Sequence, residues 1–110
     1  MANLALVYVL EGKFAESERL ARQTLEFDEK NQPDVWERFR AESLLGASLV
    51  GEKKYSEAEP LLIEGYQGML ARKQWTGVAN WYHLDRAREW LAQFYESWGK
   101  PEKAAAWRKN

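Results

Sequence analysis

One pattern occurs three times in this chain, and it limits the fold more than any other feature. The middle copy runs Leu45-Gly46-Ala47-Ser48-Leu49 and then Lys53-Lys54-Tyr55-Ser56-Glu57-Ala58-Glu59. The first runs Leu4-Ala5-Leu6-Val7-Tyr8 and then Gly12-Lys13-Phe14-Ala15-Glu16-Ser17-Glu18. The third runs Leu91-Ala92-Gln93-Phe94-Tyr95 and then Gly99-Lys100-Pro101-Glu102-Lys103-Ala104-Ala105. Each copy reads as a helix, a tight turn marked by Gly or Lys, an aromatic or Pro, and a second helix. A helix pair cannot bury its apolar face alone, so repeated pairs stack on one another and usually present a surface to other proteins.

The spacing of apolar residues predicts six helices. The first covers about Ala2 to Glu11 and the second about Phe14 to Glu29, with Leu20, Leu25 and Phe27 among its apolar positions. A polar connector from Asp28 to Gln32 follows. Pro33 suits the first turn of the third helix, where its missing N–H has no partner to lose. That helix runs to about Val50 and stops at Gly51; Trp36, Phe39, Leu44, Leu45 and Leu49 fall at helical spacing. Ser56 and Glu59 have the spacing of a capping box for the fourth helix, which runs to Arg72 or Lys73 and carries Pro60 in its first turn. Gly65 and Gly68 weaken that helix and suit close packing against the next pair. The connector Lys73 to Asn80 holds Trp75 and Gly77. The fifth helix spans Val78 or Trp81 to Trp98, and Pro101 opens a short sixth.

Composition narrows the function. The chain has 110 residues, one domain's worth, and a net charge of −1, so no overall field draws it to nucleic acid or to an anionic membrane. It has no cysteine, which removes disulfides and thiolate chemistry. No basic flank precedes the short apolar start, which makes a poor signal peptide, and no apolar run reaches the ~20 residues of a membrane span. A cytoplasmic location is expected. The six Trp are assigned to packing, with Trp36, Trp90 and Trp98 in helical apolar register. Lys53, Lys54, Arg72, Lys73 and Arg88 are interleaved with acids, against a nucleic-acid stripe.

The three copies together resemble the tetratricopeptide repeat family across nearly the whole chain. The resemblance rests on the small residues of the first helix (Ala5, Gly46, Ala92), those of the second (Ser17, Ala58, Ala104), and the space-fillers Tyr8, Leu49 and Tyr95. Ser17, Ala58 and Ala104 are spaced by 41 and 46 residues, against about 34 in a typical repeat of this kind. Such spacing also occurs in HEAT and armadillo repeats. The Gly-Lys-Phe and Lys-Lys-Tyr-Ser-Glu-Ala turns point to the longer-helix, kinesin-light-chain-like variety. The resemblance implies an all-α fold: an α-solenoid of three antiparallel helix pairs wound as a right-handed superhelix. It gives one domain over residues 1–110, with repeats at about 1–32, 33–75 and 76–110. The stretch Leu44 to Tyr66 and the ending from Trp98 to Ala104 are similar to C-terminal repeats of large bacterial signalling proteins, including serine/threonine kinases. On that likeness the chain is a scaffolding tail.

In such arrays the first helix of each pair lines a concave groove that binds a protein or peptide. Register then assigns Arg40, Ser43, Ala47 and Val50 to the groove in the middle repeat. Their counterparts are Arg86, Glu89, Gln93 and Glu96 in the third and Ala2, Leu6, Val9 and Leu10 in the first. Arg40 and Arg86 are expected on neighbouring helices at one groove end, where two guanidiniums can grip a carboxylate. Alternatively each pairs with a local acid, Arg86 with Asp85 or Glu89. Members of the family that bind chaperone tails use a clamp whose positions here are Ala2, Leu6, Leu44, Arg86 and Trp90; only Arg86 suits it, so that ligand is not expected.

No catalytic constellation is evident, and neither a cofactor nor a metal is expected. His83, the one histidine, reads as a packing or hydrogen-bonding residue. Glu16, Glu18, Glu57, Glu59 and Glu102 recur near helix starts, where they suit the helix dipole. Leu4, Leu6, Val7, Val9 and Leu10 surround the first helix on all sides, and a helix apolar all round is covered on most of them. An upstream repeat or a homodimer through Leu4 to Leu10 is expected to supply that cover.

Overall fold

Three short turns decide how the helices pair. The computed structural model describes residues 2–31, 36–72 and 81–109, apart from the side chains of Ala2, Asn3, Ala5, Trp81, His83 and Lys109. Expectations placed on Pro33, Trp75, Gly77, Val78 and the side chains of Ala2, Ala5 and His83 lie outside the described residues. The described residues form α1 (Ala2–Leu10), α2 (Phe14–Asn31), α3 (Trp36–Gly51), α4 (Tyr55–Ala71), α5 (Trp81–Ser97) and α6 (Pro101–Lys109), with no strand.

The turns after α1, α3 and α5 are the same structure. Gly12, Lys53 and Gly99 all adopt left-handed backbone, with φ of 78°, 65° and 78°. Their N–H groups donate back to the carbonyls of Val9, Val50 and Glu96. The next N–H groups, those of Lys13, Lys54 and Lys100, donate to Tyr8, Leu49 and Tyr95 at 2.8, 2.8 and 2.7 Å. This is the paired hydrogen bonding of a Schellman helix stop, which satisfies the last carbonyls and reverses the chain in three residues. Gly and Lys alternate at this position because the geometry demands left-handed backbone, which Lys53 tolerates at a cost of about 1 kcal/mol.

α3 sits at the centre and packs against α1, α2, α4 and α5. Its residues from Ala41 to Leu49 are buried without a break. Against α4 the approach is very close. A Cβ on Gly46 would lie 2.7 Å from Leu62, and one on Gly65 would lie 2.7 Å from the Phe39 carbonyl and 2.8 Å from the Ser43 N–H. Partners that descend along α4 as they ascend along α3 make the pair antiparallel. Gly65 and Gly68 therefore receive α3, their own partner, and not the next pair as their spacing alone suggested. The helix that follows Gly65 is joined through a connector, whereas α3 is held against it by a three-residue turn.

Ser17, Ser48 and Tyr95, all buried by this packing, find partners. Ser48 donates its one proton to the Leu44 carbonyl at 2.8 Å. Ser17 of α2 therefore donates to Ser48 Oγ at 2.6 Å and ties α2 to α3. Tyr95 of α5 donates to Glu59 of α4 at 2.8 Å, and burial together with that carboxylate pushes its pKa up to about 12. Around it, Phe94 packs on Tyr55 and Trp98, and Tyr66 meets Trp107 edge-on at 5.5 Å between ring centres. Trp36, Trp90 and Trp98 all pack against the core.

Two expected details differ. Ser56 does not cap α4; the cap is Lys54, with no side-chain hydrogen bond. The turn fixes the helix start at Tyr55, which moves Ser56 inside the helix and Pro60 into its second turn. Pro60 and Ser56 are both exposed, so water can take the Ser56 carbonyl that Pro60 leaves without a donor. α2 continues through Asn31 because Asp28, expected in a connector, is buried in the helix.

Glu42 is the least comfortable group in the core. It is 3% exposed, and Arg38 reaches one of its oxygens at 3.3 Å while the other has no hydrogen-bond partner. Burial, reinforced by Glu64, raises its pKa from 4.5 to about 7 against the pull of Arg38.

Two stability measurements follow. Lys53→Gly should raise the urea midpoint by an amount equivalent to about 1 kcal/mol, because the left-handed position costs glycine nothing. A carboxyl group with a raised folded pKa stabilises the fold below its unfolded value and loses that contribution as pH climbs through the folded one. Stability should therefore fall between pH 4.5 and 7. Glu42→Gln should be near neutral at about pH 5 and stabilising by roughly 2–3 kcal/mol at about pH 8. Equal effects at the two pH values would contradict this account.

Candidate functional site

Leu6, Arg40 and Arg86 lie together, as do Val9, Val50 and Gln93, so α1, α3 and α5 run in the same sense and their neighbouring faces form a trough. α1 contacts α3, and α3 contacts α5. The wider end of the trough is a cleft of about 310 Å³. Val9 and Leu10 of α1 wall it on one side, Trp90, Gln93, Phe94 and Ser97 of α5 on the other. Ala47, Val50 and Gly51 of α3 and Phe14 of α2 complete it. Among the described residues no charged side chain lines the cleft.

Beyond Trp90 the trough narrows to a space of about 10 Å³, room for about one water. Leu6, Arg40, Ser43, Leu44, Met69 and Arg86 surround it together with Trp90. Arg40 and Arg86 thus come together from α3 and α5, as their register predicted. Burial, joined by the charge of Arg86, pushes the Arg40 guanidinium below its ordinary pKa, while Tyr82 and Glu37 act in the other direction.

The acids expected to neutralise Arg86 are engaged elsewhere. Asp85 reaches Arg88 at 4.0 Å. Glu89 accepts from Arg108 of α6 at 2.9 Å, and the same guanidinium makes two 2.8 Å hydrogen bonds to Glu96. Arg86 Nε is buried without a hydrogen-bond partner, as is Ser43 Oγ. The alternative of a local ion pair for Arg86 is therefore not realised. Arg108 explains it: α6 folds back along α5 and offers both carboxylates a forked donor.

Of the twelve residues that register placed on the groove, the structure brings nine together: Leu6, Val9, Leu10, Arg40, Ser43, Ala47, Val50, Arg86 and Gln93 all line the trough, and the side chain of Ala2 lies outside the described residues. Glu89 and its neighbour Glu96 are the exceptions, held by Arg108. Ser43 and Ala47 are themselves 2% and 8% exposed, so they form the floor. Trp90 was missed as a site residue. It stands four residues after Arg86 and three before Gln93, so it shares their face, but its apolar character read as core. It is half-buried and walls both parts of the trough.

A second polar cluster lies outside the trough. Hydrogen bonds from Glu52 and Arg22 hold the Glu18 carboxyl below its ordinary pKa, while the bond to Glu18 and burial push Glu52 up. Lys54 lies 3.9 Å from Glu18, and its charge favours the ionised form of both carboxyls. Glu18 and Glu59 thus make tertiary contacts beyond the helix-start role their positions suggested. Among the described residues no group of three or more His, Cys, Asp or Glu is placed to hold a metal, and no helix is long and apolar enough to cross a membrane. Comparison with protein-family models, with curated proteins and with solved structures finds no match to this chain.

Proposed function

We propose that the three helix pairs stack as a right-handed solenoid of the tetratricopeptide kind, and that the α1–α3–α5 trough docks a peptide segment of another protein. The reading treats the chain as an interaction module without catalysis of its own. Three repeated helix stops and the succession of first helices support the stacking. The observation that carries the docking is Arg86. A half-buried guanidinium that pairs with no carboxylate among the described residues, beside a second arginine and at the end of an uncharged cleft, is suited to an anionic group brought from outside.

A second reading, self-association through α1, has its own support. Leu4, Val7 and Leu10 are 47%, 46% and 62% exposed, while Leu6 and Val9 pack on the core. At 100° per residue the three exposed side chains form one apolar ridge. Single exposed apolar residues are ordinary, but a ridge of three on a helix with no charged residue marks a contact surface.

Peptide-display selection against the purified chain should enrich an acidic motif, and the folded Arg40→Ala, Arg86→Ala double variant should lose at least ten-fold in affinity for it. Equal affinity in parent and variant would sink the docking proposal. Self-association is tested by sedimentation across a concentration series. The parent's average mass should rise with concentration and that of Val7→Glu should not; a parent that stays monomeric throughout removes the second reading. Val7 is the better probe than Leu6, since Leu6 also supports the fold.

A further inference from the structure

Resting on the docking reading, we infer that the trough selects an extended peptide in which a large apolar side chain precedes or follows a carboxylate by three residues. The two ends of the trough have opposite chemistry. One is an uncharged cleft of about 310 Å³, at the small end of the range for binding pockets. The other presents Arg86, with its unpartnered Nε, and Arg40. Trp90 stands between them and belongs to both.

The helices fix the distance between the ends. Arg40 precedes Ala47 by seven residues, and Arg86 precedes Gln93 by seven. Seven residues at 1.5 Å each make about 10 Å on both walls. An extended chain covers that distance in three residues at about 3.3 Å each, whereas a helical ligand needs seven.

The lining favours the extended form. The polar groups on the cleft wall are the Gln93 amide and the Ser97 hydroxyl. An amide that both donates and accepts suits a backbone whose own N–H and C=O are unpaired, which is the state of an extended peptide and not of a helix. The apolar side chain enters the cleft against Trp90 and Phe94. The carboxylate lies over the Arg86 guanidinium. The narrow space beneath it is too small for the carboxylate itself.

The test is a set of peptides acetylated and amidated at their ends, so that the one carboxylate is a side chain. The parent peptide contains Leu-Ser-Ser-Glu flanked by Gly and Ser. Companions replace Glu by Gln, replace Leu by Ser, or set Leu and Glu one or seven residues apart. Affinities are measured by calorimetry or fluorescence against the parent protein and against Arg86→Ala. The expected result is that every companion binds at least ten-fold more weakly than the parent peptide. Arg86→Ala should weaken the Glu peptide at least ten-fold and leave the Gln peptide unchanged. Affinity that ignores the spacing but still falls in Arg86→Ala overturns this inference and leaves trough docking in place. Affinity indifferent to Arg86→Ala, or no binding by any peptide at millimolar concentration, overturns the inference. If the display motif also ignores Arg40 and Arg86, docking falls with it.

Discussion

The burial of α3 on every side is the constraint from which the other features follow. A helix covered by four neighbours cannot hold them all at the usual 8–10 Å with large side chains throughout. It therefore carries Gly46, Ala41, Ala47, Ser43 and Ser48 among its leucines, and α4 answers with Gly65 and Gly68. Glycine lowers the helix propensity of α4, so that helix depends on its contact with α3 for stability. The same crowding explains why Ser17 and Ser48 share a hydrogen bond and why Glu42 is forced toward its neutral form. The trough depends on it too: α3 contributes the floor, and α1 and α5 can wall it only because α3 holds both.

The turns convert this packing into a repeated direction. Each Schellman stop reverses the chain in the same way, and α3 lies against both α1 and α5. Residues that share a register on those helices then share a surface. That is how Arg40 and Arg86, 46 positions apart in sequence, end on one side of the same trough. Their like charges repel, though less than Tyr82 and Glu37 act on Arg40 in the opposite direction. A carboxylate laid over them would be attracted by both guanidiniums, which is the energetic basis of the docking proposal.

Much of the architecture was legible in the sequence because the turn has a strict backbone requirement. Gly12 and Gly99 stand where the first and third turns need left-handed backbone; the stop of α3 was expected at Gly51, but Gly51 stays inside the helix and Lys53 takes the left-handed position. The helix ends that flank the three turns follow from them to within two residues. Legibility fails where partners come from elsewhere in the chain. Nothing local to Gly65 says whether it receives the preceding or the following helix. Glu89 looked available until α6 brought Arg108 to it, and Arg86 looked neutralised for the same reason. Trp90 reads equally as core or as site from its register, because a half-buried aromatic is both. Glu42 shows no sign of its burial: a single Glu between Ala41 and Ser43 is the commonest kind of surface residue.

The central claim is that the α1–α3–α5 face is the docking surface. The most direct measurement is an amide chemical-shift map of the folded chain titrated with the capped Leu-Ser-Ser-Glu peptide. The account predicts the largest shifts at Ala47, Val50, Trp90 and Gln93, with the Trp90 indole N–H among them, and little change along the outer helices α4 and α6. Largest shifts on α4 or α6, with the trough residues unmoved at saturation, would contradict it.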